Sequence, residues 1–504
     1  MELRETARAS VADAFESLRR EFVIPTPIFH PYVQVGRDYF GDTIHRLSRY
    51  HELEQQLDVL YSNRFGEPRT RRHPEFASGY IFTFLEACIA RCGRRGRDGD
   101  DHFDAANDEV SESIEELLAV LGSPTYELVC CRFVAHLTTV GNREISLGDI
   151  TVVPETDRFG RLTERIGREI AGGWGAFNRE DPRPYDPPHA LLIIRERTDD
   201  PEPYAAASRL SNRLERFLLL ARLFSAGTVH SMFEVSGITT LVGRMNPYMS
   251  QFRGGSTLVR RTVWVRDQHG PAFEAIGKLV DQADVKREGM AATSFDVALS
   301  KFNRSHAHEN PYEDLVDLAT ALEGILAGGE TETEGLTLRL RSRAAAILAA
   351  DSDPAKAIFS DVGLLYGLRS KLVHGGQIKA TELKRDLKKI STMPEDAVED
   401  RFGVALGYAV DRMRDLVRRA ILARVCLAGG EDPAWPFSGN TPVDAILSDD
   451  TTRASWRALW HDKLAELGIE EAANPPREAV DFLTPHEEEE AAHRTVETPS
   501  EGPI

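Results

Sequence analysis

The sequence predicts a multidomain protein of mixed α+β class, with an N-terminal helical and α/β region followed by an all-α helical bundle. Three observations carry this. The chain has 504 residues, which at roughly 150 residues per domain corresponds to about three domains. β-Branched and aromatic residues crowd the stretch from about 124 to 290, whereas apolar residues on either side recur at helical spacing. Composition is that of a globular chain, 41% hydrophobic and 28% charged, which excludes a fibre or a fully disordered polymer.

Residues 1–123 read as mostly helical: Leu53, Leu57, Leu60 and Tyr61 recur every three or four positions in a charged stretch, and Pro74 opens the apolar run 80–85. Two basic loops, 69–73 and 91–97, interrupt this region, and their mixture of charges with glycine reads as solvated surface. Cys88 and Cys92 lack a second pair, so helix-face packing explains them better than zinc.

Residues 124–290 form the α+β region, a candidate sensing or targeting domain that meets an unknown trigger. Strands are expected over 126–139, 145–153, 190–194, 229–235, 238–242 and 258–265, with a hairpin turn at Gly141-Asn142. Leu210, Leu214, Phe217, Leu218 and Ala221 mark a helix over 203–224 with one buried stripe. The Gly-Gly-Trp-Gly stretch at 172–175 and the Pro-rich 182–188 read as loop.

From 291 to 430 local signals agree on four helices. Asn310-Pro311-Tyr312-Glu313 supplies a capping side chain, a proline suited to the first turn and a glutamate at the box position. Leu315, Leu318, Leu322 and Ile325 mark the first helix, which ends at Gly328-Gly329. A second runs over 336–349. The third, over 353–374, carries Ile358, Val362, Leu365 and Leu372 on one face and closes on Gly375-Gly376. Phe402, Leu406, Ala409, Met413, Leu416 and Ala420 mark the fourth, and the pattern is a four-helix bundle. In the extension 431–504, Trp456 and Trp460 suggest a short helix over 452–467, and an acidic, disordered tail follows Pro475-Pro476.

Charge and cysteine usage bound the function. Lys and Arg total 61 against 80 Asp and Glu, a net charge of −19, so any contact with nucleic acid must be local. Five cysteines (Cys88, Cys92, Cys130, Cys131 and Cys426) are too few for a disulfide framework, and a cytoplasmic location is expected. The N-terminus lacks a secretory signal, and the richest apolar run, 217–221, is cut by Arg222, so a soluble protein without a membrane partner is expected.

Chemistry concentrates at the end of the third bundle helix. At about 100° per residue, Arg369 falls in the middle of the apolar face, where a guanidinium, unable to lose its proton, needs an anionic partner, an interface or a polar cleft. His374 lies beside the helix C-terminus, where positive charge is favoured. On spacing alone an internal ion pair for Arg369 is the plainer reading. Glu323, at the edge of the first helix's apolar arc, is placed to orient Arg369. Arg412, Arg414, Arg418, Arg419 and Arg424 give the fourth helix a basic character, most simply a solvated face. His306 and His308 lack the carboxylate–histidine set of a metal site, and no Walker-type, Gly-x-Ser-x-Gly or His-Glu-x-x-His motif occurs, so no metal or cofactor is expected.

The stretch Leu365-Tyr366-Gly367-Leu368-Arg369-Ser370-Lys371-Leu372-Val373-His374-Gly375 resembles the signature of the Apea-like branch of the HEPN domains. Upstream segments around Phe302-Asn303-Arg304, 313–326 and 343–348 are similar too, and the resemblance spans roughly 295–428. It implies a four- or five-helix up-and-down bundle that dimerises, and a metal-independent ribonuclease of antiphage defence or stress response. It also implies that Arg369 and His374 form the catalytic Arg-x4-6-His pair; Ser370 and Lys371 are expected toward RNA, and Glu323 and Tyr366 in support. Ser370 departs from the Asn, Asp or His that follows the arginine in many catalytic members. The alternative is a non-catalytic HEPN module that binds nucleic acid or a nucleotide, or serves dimerisation. Five helical residues turn about 500°, which sets Arg369 and His374 about 140° apart. Their convergence then calls for a frayed helix end or a homodimer that shares one cleft.

Overall fold

The computed structural model describes residues 2–21, 48–65, 108–155, 189–200, 203–238, 248–251, 262–283, 292–308, 310–327, 335–373, 379–394, 397–400, 402–428 and 443–469. Both basic loops, Cys88 and Cys92, and the stretches 172–175 and 182–188 lie outside them. The molecule is mixed α+β, with an antiparallel sheet in the N-terminal half and helices in the C-terminal part. Helices α1 (Glu2–Glu21), α2 (Ser48–Phe65) and α3 (Asp108–Gly122) pack together through Val11, Leu53, Leu57, Val110 and Ile114, so the helical spacing at 53–57 marks a buried face as expected.

The strands are β1 (Tyr126–Ala135), β2 (Leu137–Thr139), β3 (Ile145–Leu147), β4 (Ile150–Pro154), β5 (His189–Thr198), β6 (His230–Ile238), β7 (Tyr248–Gln251) and β8 (Val263–Val265). Six of them form one sheet of order β3-β4-β5-β1-β6-β7, antiparallel throughout, and β2 pairs in parallel with β8. The expected strand 126–139 is broken because His136 takes a φ of 60°, a left-handed bend that carries β2 out of the large sheet. The turn at Gly141 and Asn142 forms, both at positive φ (76° and 50°). It is not a hairpin, because β2 then pairs with β8 and β3 with β4. Of the expected run 238–242, Ile238 is the end of β6, and 239–242 lie outside the described residues.

Helix α4 (Pro203–Phe224) covers one face of the sheet, where Leu128, Cys130, Val134, Leu192 and Ile194 join the main core. Arg132 interrupts that face. It is buried and donates to Glu234 directly across the strand pair (2.7 Å), to Glu215 on α4 and to Ser211 Oγ (3.1 Å). A buried charge survives folding only when matched in this way.

The C-terminal part comprises α5 (Gly270–Ala283), α6 (Ser294–Arg304), α7 (Pro311–Leu326), α8 (Leu336–Leu348), α9 (Ala355–Val373), α10 (Ala380–Leu387), α11 (Ala397–Asp400), α12 (Phe402–Ala428), α13 (Val443–Ser448) and α14 (Asp450–Glu466). The four helices read from the sequence are α7, α8, α9 and α12, and they pack on one another. Asn310 accepts from the Tyr312 amide (3.0 Å), but Glu313 does not close a box: its carboxylate pairs with His308 (3.2 Å). The full box belongs to α6, between Thr293 and Asp296. The helix expected over 452–467 is α14, which buries Trp456 and Trp460.

α12 is the central strut. Its five arginines are neither solvated nor on one face; all are buried. Helices leave their last carbonyls unsatisfied, and these guanidinium groups meet them. Arg418 donates to Leu223 O (2.9 Å) and Phe224 O (3.0 Å) at the end of α4, and Arg414 to Ser305 O (3.0 Å) just past α6. Arg424 reaches Gly324 O (3.1 Å) and Ile325 O (3.0 Å) at the end of α7, and Arg419 reaches Leu348 O at the end of α8. Positive charge at four helix C-termini also complements their dipoles. Arg412 is bidentate on Asp353 (2.9 Å each) and bonds Asp361 (2.9 Å). One apolar cluster runs through the sheet, α4 and these helices, from Ala7 to Ile469.

Candidate functional site

α9 follows Pro354, whose carbonyl accepts from the Ala357 (2.9 Å) and Ile358 (3.3 Å) amides in the first turn. Ile358, Val362 and Leu365 are fully buried against the bundle. Over the last turn the same stripe emerges: Tyr366 is buried, while Arg369, Ser370 and Leu372 are half-buried and Val373 is exposed. Arg369 therefore sits with its Nε buried, on the inward side of the last turn or so of α9, and is half-buried overall.

The guanidinium carbon of Arg369 lies 5.5 Å from the centroid of the Tyr366 ring, three residues back on the helix. Its Nε is buried without a hydrogen-bond partner, and among the described residues no carboxylate lies within ion-pair distance of the guanidinium. Glu323, half-buried near the end of α7, accepts from the Tyr366 hydroxyl (3.0 Å), and it is the Tyr366 ring that stands beside the guanidinium. Burial, then the Glu323 charge, pushes the Tyr366 phenol up to about 12, so it remains a donor at neutral pH. The two groups named as supporting are thus joined, with Tyr366 the link between Glu323 and Arg369.

Lys371 is exposed and pairs with Asp386 near the end of α10 (3.6 Å). Gly363, Leu364, Gly367, Leu368 and Lys371 form one wall of a cavity of about 130 Å³, and Leu383, Asp386 and Ile390 the other. A Cβ at Gly367 would meet no described atom within 4 Å. His374, the expected proton-transfer partner, lies outside the described residues, as do Gly375 and Gly376. The placement of one member of the pair, Arg369, is what the structure provides.

The remaining histidines resolve separately. His306 is buried, with its Nδ1 3.0 Å from Phe302 O, and burial holds it well below the usual imidazole range. His308 lies between Glu313 (3.2 Å) and Asp317 (3.0 Å). Among the described residues no group of three or more His, Cys, Asp or Glu is arranged to hold a metal ion. No described helix is long and apolar enough to cross a membrane.

Sequence reasoning missed the burial of the α12 arginines, although a signal was present. At 100° per residue Arg412, Arg414, Arg418, Arg419 and Arg424 scatter around the whole helix, whereas a solvated face gathers its charges on one arc. Comparison with protein-family models, with curated proteins and with solved structures found no match to this chain.

Proposed function

We propose that the C-terminal helices form a HEPN-type metal-independent ribonuclease in which Arg369 and His374 act on one ribose-phosphate linkage. The observation that supports this reading is the state of Arg369: a permanently charged fork, half-buried, set beside an aromatic ring that a carboxylate fixes, and with no carboxylate of its own among the described residues. Among the described residues Arg369 does not make the internal ion pair that was the plainer reading of the sequence. A guanidinium kept in this way presents two parallel donors suited to two phosphate oxygens.

In the proposed reaction the ribose 2′-oxygen attacks the adjacent phosphorus and the bond to the 5′-oxygen breaks, leaving a 2′,3′-cyclic phosphate and a 5′-hydroxyl. One proton leaves the 2′-hydroxyl and one reaches the departing 5′-oxygen. His374, with an unperturbed pKa of about 6.5, is suited to that transfer, while Arg369 stabilises the charge that grows on the phosphoryl oxygens. We assign the homodimer to the same reading, because two paired bundles bring both groups to a shared cleft, and a role as a defence or stress effector follows the resemblance.

The test is cleavage of total RNA in EDTA by the wild-type chain, Arg369→Ala and His374→Ala. Each variant is expected to lose at least about a hundredfold in rate. Cleavage at the wild-type rate by the double variant refutes the assignment. Light scattering checks the dimer.

A further inference from the structure

The chain carries a net charge of −19, yet the segment beside Arg369 has the opposite sign. Between residues 379 and 389 lie Lys379, Lys384, Arg385, Lys388 and Lys389 against only Glu382 and Asp386, and Lys371 joins them from α9. That is six cations against two carboxylates, a local excess of four.

The structure gathers these charges on one surface. Leu383, Leu387 and Ile390 are buried and pin α10 and the turn after it to the bundle, so the intervening residues face outward. Lys371, Lys379, Arg385, Lys388 and Lys389 are exposed. Three of the cations converge on a single carboxylate: Asp386 accepts from Lys389 (3.3 Å) and Arg385 (3.4 Å) on its own segment and lies 3.6 Å from Lys371 on α9. Asp386 thereby ties the α10 cations to the helix that carries Arg369, with Lys371 two residues beyond it. One carboxylate cannot neutralise three cations, and exposed pairs of this sort add little to stability. The buried arginines of α12 are matched to carbonyls and carboxylates, whereas Asp386 is shared among Lys371, Arg385 and Lys389.

We propose that α10 and its following turn form the platform that grips the phosphate backbone of single-stranded RNA and leads it to Arg369; the inference rests on the ribonuclease reading above. The net negative charge of the chain repels a polyanion, so a strand is steered to locally positive ground such as this. A membrane surface is the less suitable partner, because exposed apolar side chains among the cations add to peripheral attachment, and Leu383, Leu387 and Ile390 are buried.

The experiment uses the full chain with Arg369→Ala, so that RNA is not cut, and a fluorescein-labelled single-stranded RNA of mixed sequence, read by anisotropy between 50 and 300 mM KCl. Adding Lys379→Gln, Arg385→Gln, Lys388→Gln and Lys389→Gln together is expected to weaken binding at least tenfold at about 100 mM salt. The slope of log affinity against log salt should also flatten by about 0.7 for each phosphate contact removed. Lys278→Gln, an exposed cation paired with Glu274 on α5, serves as control and should change neither. Melting by circular dichroism verifies that the fourfold variant folds, as surface substitutions of this kind shift stability little.

If the Arg369→Ala chain binds RNA through these residues although the wild type cuts nothing, the platform stands and the ribonuclease reading falls. Unchanged RNA affinity and salt slope in the folded fourfold variant overturn the platform even where cleavage is intact. Binding of the chain to phosphatidylserine vesicles with none to RNA overturns it as well.

Discussion

Removing the Asp353 carboxylate is the most demanding perturbation of the helical region. Asp353 is fully buried between α8 and α9 and takes both donors of the Arg412 fork (2.9 Å each) as well as a bond from Arg419. In Asp353→Ala, Arg412 retains Asp361 (2.9 Å), and Arg419 retains Asp415 (3.3 Å) and the Leu348 carbonyl. Neither guanidinium is orphaned, yet three charge-assisted bonds disappear inside the core. Breaking a buried pair by removing one partner costs about 3–5 kcal/mol. Asp353→Asn keeps the shape and one acceptor, and its cost should be nearer about 1.5–3 kcal/mol, the range for hydrogen bonds to charged groups. Urea unfolding followed by far-UV circular dichroism measures both, with stability read from the midpoint at constant slope. A loss below about 1 kcal/mol for Asp353→Ala would mean that this network does not hold α9 and α12 together, and the account of the buried arginines would fail with it.

Three further outcomes are expected. Gly324→Ala on α7 places a Cβ 2.8 Å from the Ser294 carbonyl oxygen and 3.1 Å from the Ala298 Cβ on α6; overpacking of this kind costs about 1–3 kcal/mol, and an unchanged melting temperature would show that the two helices are not so close. Burial pushes His230 down to about 4, so as pH falls from 6.5 toward 4 the unfolded chain gains a proton that the folded chain refuses. The stability present above pH 6.5 is thus lost on acidification, by about 3 kcal/mol from this residue, and His230→Asn, which can still donate to the Thr228 carbonyl, should flatten a pH series of urea midpoints. Tyr366→Phe keeps the ring beside Arg369 and loses the bond to Glu323 at a cost of about 1 kcal/mol, whereas Tyr366→Ala removes both. RNA cleavage should suffer more in the alanine variant, and equal rates in the two would refute the stacking role.

Local patterns were legible wherever short-range physics decides. The stripe at Leu315, Leu318, Leu322 and Ile325, the cap at Asn310 and the buried tryptophans of α14 were readable because spacing and cap chemistry lie within a few residues of each other. Arg369 was placed correctly on the inward face of α9 by angle alone. Its surroundings were not readable, since whether Glu323 reaches the guanidinium or the Tyr366 hydroxyl depends on how α7 crosses α9, a contact between positions 43 residues apart.

By itself, then, the sequence determined which segments become helix or strand, the α+β class and the side of α9 on which Arg369 lies, because periodicity and caps are written in neighbouring residues. Only the tertiary structure decided the fate of the charges: that the α12 arginines are core groups capping α4, α6, α7 and α8, while Lys379, Arg385, Lys388 and Lys389 face outward. The physical reason is that a charge is tolerable in the interior only where a distant carbonyl or carboxylate meets it, and no local pattern specifies that meeting.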